Sequence, residues 1–149
     1  MPQTVRWFIR TSAIYLVLTF LAGAIFLYYN WLFGPLPRPW VVIHLHAGLV
    51  GWLVNIVIGV GLWMFPLNKE AFPESGGRYT LLLARLCYFG LNLGLPVRLI
   101  SELIFSYTHN RLLGALMVLS GIPQFVAVAI FLYIVWKRVR LIEGLKANL

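Results

Sequence analysis

The chain has 149 residues, of which 61% are hydrophobic and only 11% are charged, and its mean hydropathy is +0.87. Soluble domains carry about 25% charged residues, so this composition excludes an ordinary soluble protein and indicates an integral membrane protein. The net charge of +8 would suggest nucleic acid binding in a soluble protein. Here the basic residues lie mostly at the ends of apolar segments, which is typical of membrane proteins.

Four apolar segments follow one another, at about 11–33, 40–65, 79–107 and 112–136. Each reaches the roughly 20 residues that a helix needs to cross the hydrocarbon core, and none shows the alternation of outer-membrane strands. Ala22-Gly23-Ala24 resembles a signal cleavage site, but the apolar run continues to Phe33, so we interpret the first segment as a span. The sequence predicts an all-α four-helix bundle, with residues 1–149 forming one transmembrane domain.

The basic residues predict the orientation of the chain. One set lies in the N-terminal segment, the second loop and the tail, namely Arg6, Arg10, Lys69, Arg78, Lys137, Arg138, Arg140 and Lys146. The first and third loops hold only Arg38 and Arg111. We expect the protein to lie in the inner (cytoplasmic) membrane. By the positive-inside rule, both termini and the second loop are expected in the cytoplasm. The second span then starts at the outer surface.

Two histidines, His44 and His46, lie in this second span, where an imidazole is costly and indicates a function. A stripe of small residues follows His44 at helical spacing, comprising Gly48, Gly51, Asn55 and Gly59. Such a stripe allows close approach by another helix or by a flat ligand, and the sequence leaves both interpretations open. Because His46 is rotated by about 160° from His44, the two imidazoles are not expected to bind one metal ion from the same face.

His109, in the third loop, is expected on the same outer side as the other two histidines. In the third span, Arg98 and Glu102 are spaced to form an ion pair, although Arg98 could instead bind a haem propionate. Asn92 and Gln124 are polar residues within spans and are expected to hydrogen-bond between helices. Cys87 is the sole cysteine, which excludes an intrachain disulfide and predicts a small core residue.

The segment HLHAGLVGW at 44–52, with Gly59 and Pro66 beyond it, resembles the H-x-H-x-x-x-x-G-[FW] signature of NnrS-type haem- and copper-containing membrane proteins. It is also similar to the histidine-bearing second helix of haem–copper oxidase and nitric-oxide reductase catalytic subunits. The resemblance covers residues 44–66, with LNLGLPVRLISE at 91–102 as a weaker match. It implies haem binding by this helix and adds Trp52 to the candidate site, but those families have many more spans and further histidines.

The leading hypothesis is therefore a b-type haem protein that carries electrons or binds a diatomic gas near the outer leaflet. We expect His44 to be an axial ligand, with His46 as the close alternative, and His109 to supply the second ligand. A second chain of a homodimer is the other source of that ligand, and a redox partner is implied. The alternatives are a protein that handles copper or zinc through its histidines, and a structural subunit of a respiratory complex. The sequence contains no catalytic triad, phosphate loop or paired carboxylates that would predict an enzyme.

Overall fold

Four long helices dominate residues 1–139, which are the part of the chain that the computed structural model describes. They are α1 (Gln3–Phe33), α2 (Arg38–Met64), α3 (Leu81–Thr108) and α4 (Arg111–Val139). Each is long and apolar enough to cross a membrane, and residues 1–139 contain no strand. This confirms the all-α class and a long apolar helix at each of the four predicted segments. Arg140 and Lys146, the last two basic residues of the predicted cytoplasmic set, lie outside the described residues.

The helices extend beyond the predicted apolar segments, most clearly at the start of the chain. Helix α1 begins at Gln3, whereas the predicted span began at about residue 11. Hydropathy identifies only the residues that favour the hydrocarbon core. A helix can extend further, into the lipid headgroup region, because long basic side chains there reach water. Arg6 and Arg10 are both exposed in this way. Helix α4 likewise continues to Val139.

The small-residue stripe of α2 packs against α1, and the two helices run antiparallel. A Cβ atom added at Gly51 would lie 2.5 Å from the ring of Tyr15, and one at Gly59 would lie 2.8 Å from Cβ of Phe8. Since real Cβ atoms do not approach other atoms this closely, a larger residue would push the helices apart. These contacts match the helix-packing interpretation of the stripe.

Helix α2 is not a uniform α-helix, because residues Ala47–Val54 form a π-helical segment directly after His46. The fully buried Asn55 follows it, and its side-chain amide donates to the carbonyl oxygens of Gly51 at 2.9 Å and Val50 at 3.3 Å. Its own side-chain oxygen accepts a hydrogen bond of 2.9 Å from Asn92 of α3. The expected interhelical role of Asn92 is confirmed. Sequence periodicity gave no sign of the π-helical segment, which is common at functional sites.

Helix α4 is interrupted at Ser120, between the helical segments Arg111–Leu119 and Gly121–Val139. Pro123 lies just beyond the interruption and lacks the N–H that would continue the α-helical hydrogen bonding. The prediction for Gln124 is wrong, since its amide donates to the carbonyl oxygen of Ser120 in its own helix at 3.1 Å. Cys87 of α3 is fully buried against α4, as expected for a core residue.

The end of α4 is fixed to the end of α2 by a buried arginine. Arg138 is fully buried, and its guanidinium donates to the carbonyl oxygens of Leu62 at 2.8 Å, Phe65, and Pro66 at 2.7 Å. Burial raises the pKa of the nearby Tyr79 hydroxyl, while the charges of Arg78 and Arg138 act to lower it. The hydrogen bonds of Arg138 therefore hold the C-terminal ends of α2 and α4 together.

Candidate functional site

His44 faces α1, near the start of α2. Its ring makes an edge-to-face contact with Phe26 at a centroid distance of 5.5 Å. A Cβ atom added at Gly23 would lie 3.4 Å from Cε1 and 3.8 Å from Nε2 of the imidazole, at ordinary van der Waals distance, so Gly23 lies directly against the ring. The Nδ1 atom is buried and has no hydrogen-bond partner among residues 1–139. An unpartnered nitrogen in apolar surroundings is costly and calls for a ligand or partner.

A groove of about 570 Å³ lies between α1 and α2 beside this imidazole. We call it the α1–α2 groove, and its lining consists of Thr19, Phe20, Gly23, Ala24, Phe26, Leu27, Asn30, Leu36, Val41 and His44. Its walls are almost entirely apolar. Within the described chain, the hydroxyl of Thr19 is a second buried polar atom that lacks a hydrogen-bond partner. The side-chain oxygen of Asn30 accepts a 2.7 Å hydrogen bond from the backbone N–H of Leu36 and so stabilises the turn between α1 and α2.

His46 has a different environment. Its Nδ1 atom lies 2.9 Å from the carbonyl oxygen of Val42, one turn earlier in the helix. Because a carbonyl oxygen only accepts, Nδ1 carries the proton and Nε2 keeps its lone pair. Both histidines lie in the α-helical segment Arg38–His46, so His46 points about 160° away from the α1–α2 groove.

The ion pair of α3 lies at the depth of His46. Two hydrogen bonds join α2 to α3, from Trp40 to Tyr107 and between Asn55 and Asn92, and their residues are fifteen apart on each helix. Interpolation between them places His46 level with the segment between Arg98 and Glu102. The two charged side chains approach to 3.6 Å, as the spacing predicted. The two paired atoms, Nε of Arg98 and Oε2 of Glu102, are buried and have no further hydrogen-bond partner within the described part of the chain.

His109 lies apart from the groove. It ends α3 in a left-handed conformation with φ of 51°, its side chain is exposed, and its ring contacts Phe105 at 6.0 Å. It is not among the lining residues of the α1–α2 groove. Within residues 1–139, no group of three or more His, Cys, Asp or Glu side chains is placed to hold a metal ion.

The other candidate residues have structural contacts of their own. Gly48 and Gly51 are covered by Thr19 and Tyr15 of α1, and Asn55 makes the hydrogen bonds that hold the π-helical segment. Trp52 is half-buried in that segment. The residues that sequence reasoning missed are those that α1 contributes to the groove, above all Thr19. An isolated threonine in an apolar span carries no signal of its own, because its neighbours Gly48 and His44 lie on another helix.

Comparison with protein families, with curated proteins and with solved structures found no match to this chain.

Proposed function

We propose that this chain is a b-type haem-binding membrane protein in which His46 supplies an axial ligand. The observation that carries the proposal is the 2.9 Å contact between Nδ1 of His46 and the carbonyl oxygen of Val42. Histidines that bind metals commonly donate their second ring N–H to a backbone carbonyl, which fixes the ring and leaves the other nitrogen free. His44 has no such contact, so His46, the alternative ligand on sequence grounds, is the better candidate.

The charged residues at the depth of His46 fit the polar edge of a haem. Arg98 lies at the same depth, and its guanidinium Nε pairs with Oε2 of Glu102 at 3.6 Å. A guanidinium binds carboxylates through two parallel hydrogen bonds, so Arg98 would hold a propionate. Glu102, 3.6 Å away, offsets the charge of Arg98 within the membrane. The protein would thus provide both an iron ligand and a carboxylate partner on adjacent helices.

When bound, haem supplies a one-electron iron couple and, where an axial position is open, a site for a diatomic gas. His109 is exposed at the end of α3, with its ring against Phe105, and this favours a haem with one histidine ligand from the chain. We therefore propose binding of a gas such as nitric oxide or oxygen rather than electron transfer alone. The resemblance of residues 44–52 to proteins of nitric-oxide metabolism supports the same choice.

Replacing the two histidines of α2 separately tests the proposal. We expect His46→Ala to lower the haem content of the purified protein at least tenfold, because Nε2 of His46 is the proposed donor. His44→Ala is the matched control, two residues away in the same helix, and should change the haem content less than twofold. Pyridine haemochrome analysis gives the stoichiometry, and carbon monoxide should bind the reduced wild type and His109→Ala at equal rates.

Full haem content in both single variants and in the double variant would show that α2 does not provide the ligand. If only His44→Ala lost haem, His44 would be the ligand and the haem would be assigned to the α1–α2 groove. Slow binding of carbon monoxide by the wild type, but fast binding by His109→Ala, would assign the second axial position to His109.

We also propose that both ends of the chain and the 65–80 loop lie in the cytoplasm, with the protein in the inner membrane. The support is the distribution of basic residues, and Arg6, Arg10 and Lys69 are all exposed. A phosphatase reporter, which is active only outside the cytoplasm, should be active after residue 35 and inactive after residues 70 and 149. The reverse pattern would put His46 near the inner surface and contradict the proposal.

A further inference from the structure

Basic residues from three separate stretches of the chain meet where α2 and α4 end. The side-chain amide of Asn68 donates to the carbonyl oxygen of Lys137 at 2.7 Å, and its backbone N–H donates to the carbonyl oxygen of Gly77 at 2.8 Å. The side chains of Lys69 and Lys137 are exposed, so a ligand can reach them. The two hydrogen bonds bring together four cations, which we call the basic patch, namely Lys69, Arg78, Lys137 and Arg138.

The positive charge of the basic patch is not balanced within the described chain. The guanidinium of Arg138 donates to backbone carbonyl oxygens, which carry no net charge. The carboxylates of the same loop, Glu70 and Glu74, are exposed, and neither forms an ion pair among residues 1–139. Because Arg138 is buried, its charge is screened less by salt than that of a solvated side chain. The patch therefore attracts an anion.

Two exposed tryptophans indicate that the basic patch lies at the level of the lipid headgroups. Trp63 is one residue from the end of α2, and Trp136 directly precedes Lys137 in α4. They are 48% and 67% exposed. Tryptophan in membrane proteins is enriched at the interface between the hydrocarbon core and water. The phosphate of a lipid is thus an anion that lies within reach of the patch.

An apolar groove leads from the basic patch into the hydrocarbon core. It has a volume of about 570 Å³ and is lined by one face of α2 and the residues that follow, from Ile56 to Pro66. We call it the α2 groove. Pro66 also provides a carbonyl oxygen to Arg138, so the groove and the patch are continuous. From Ile56 to Met64 the groove follows about 12 Å of helix, and the hydrocarbon of one leaflet is about 15 Å thick.

We propose that the basic patch and the α2 groove together bind one anionic phospholipid. Its phosphate lies against the ammonium groups of Lys69 and Lys137, and one acyl chain occupies the α2 groove. Charge complementarity selects this occupant, because a zwitterionic phospholipid carries a cation of its own that the patch repels. Basic pockets between transmembrane helices bind anionic headgroups in this way. The site lies at the opposite end of α2 from His46 and is independent of the proposed haem ligand.

The test is a titration of the purified protein in detergent with dioleoyl phosphatidylglycerol or dioleoyl phosphatidylcholine, in which native mass spectrometry counts the bound lipids. We expect the first phosphatidylglycerol to bind at least fivefold more tightly than the first phosphatidylcholine. The second lipid should show less than a twofold preference. Glycerol phosphate has the charge of the headgroup but no acyl chain, so it should not displace the first lipid.

Paired substitutions separate the basic patch from the net charge of +8. Lys69→Gln combined with Lys137→Gln removes two exposed cations of the patch and should reduce the preference to less than twofold. Arg38→Gln combined with Arg111→Gln is the matched control. It removes two exposed cations at the first residues of α2 and α4, which is the other end of the bundle, and should leave the preference unchanged.

A tryptophan in the α2 groove tests the position of the acyl chain. Val60→Trp should weaken binding of the first phosphatidylglycerol at least fivefold, because the indole would fill the groove. Leu93→Trp is its control, since it fills a groove of about 620 Å³ between α3 and α4 and should leave the affinity unchanged. Circular dichroism checks that the helical content of each variant is that of the wild type.

Equal affinity for the first phosphatidylglycerol and the first phosphatidylcholine would overturn the proposal. A preference that survives the paired lysine substitutions, or falls as far in the paired arginine control, would also overturn it, because net charge alone would then attract the lipid. Wild-type affinity in Val60→Trp, or displacement by glycerol phosphate, would show that the lipid does not occupy the α2 groove. The measurement requires neither haem nor a particular orientation in the membrane, so it can fail without the proposed function failing.

Discussion

Replacing Arg138 with methionine is expected to destabilise the protein by about 3 kcal/mol, since a charged hydrogen-bond donor with three backbone acceptors would be lost. The carbonyl oxygens of Leu62, Phe65 and Pro66 all accept from the fully buried guanidinium. Methionine would fill much of the volume but would leave these buried acceptors unsatisfied. The measurement is the free energy of unfolding in mixed micelles as the denaturing detergent is increased.

Two further variants separate the hydrogen bonds from the charge of Arg138. Arg138→Lys keeps the charge, but a single ammonium group lacks the planar fork that reaches three carbonyls, so we expect it to recover less than half of the loss. Arg85→Met removes an exposed arginine of α3 and should change the stability by less than 0.5 kcal/mol. If Arg138→Met were as stable as Arg85→Met, the contacts of Arg138 would not determine the stability of this end of the bundle.

Arg138 also illustrates what the sequence could and could not predict. The charge pattern identified it as a basic residue at a span end, as is typical of cytoplasmic flanks. Nothing in the local sequence distinguishes it from its neighbour Lys137, whose side chain is exposed beside Tyr133. The difference arises because the carbonyls that Arg138 binds lie more than seventy residues earlier in the chain. Contacts of that kind depend on tertiary packing.

The helices themselves were predictable, because the length and apolar composition of each segment are local properties. The candidate functional site was only partly predictable from the sequence. Spacing correctly placed Arg98 and Glu102 together, and helical geometry correctly separated the directions of His44 and His46. The groove beside His44 could not be predicted, since seven of its ten lining residues come from α1 and meet His44 only when the two helices pack together.

The hydrogen bonds of Asn55 are expected to have the second large effect on stability. Asn55→Leu conserves most of the volume but removes two donated bonds and the bond accepted from Asn92. Hydrogen bonds between transmembrane helices average about 0.6 kcal/mol and reach about 1.7 kcal/mol, so we expect a loss of about 2 kcal/mol. Gln124→Leu, which removes a bond within one helix, should cost less than 1 kcal/mol.

A double-mutant cycle isolates the contact between the two asparagines. Asn92→Leu and Asn55→Leu together should cost about 1 kcal/mol less than the sum of the single variants, because each already breaks the shared bond. Since Asn55 also binds carbonyls of the π-helical segment that follows His46, its loss should let this segment return to α-helical geometry. That change would rotate His46 relative to α3. Additive single effects, with no change in hydrogen exchange of residues 47–54, would contradict a role of Asn55 in setting the direction of His46.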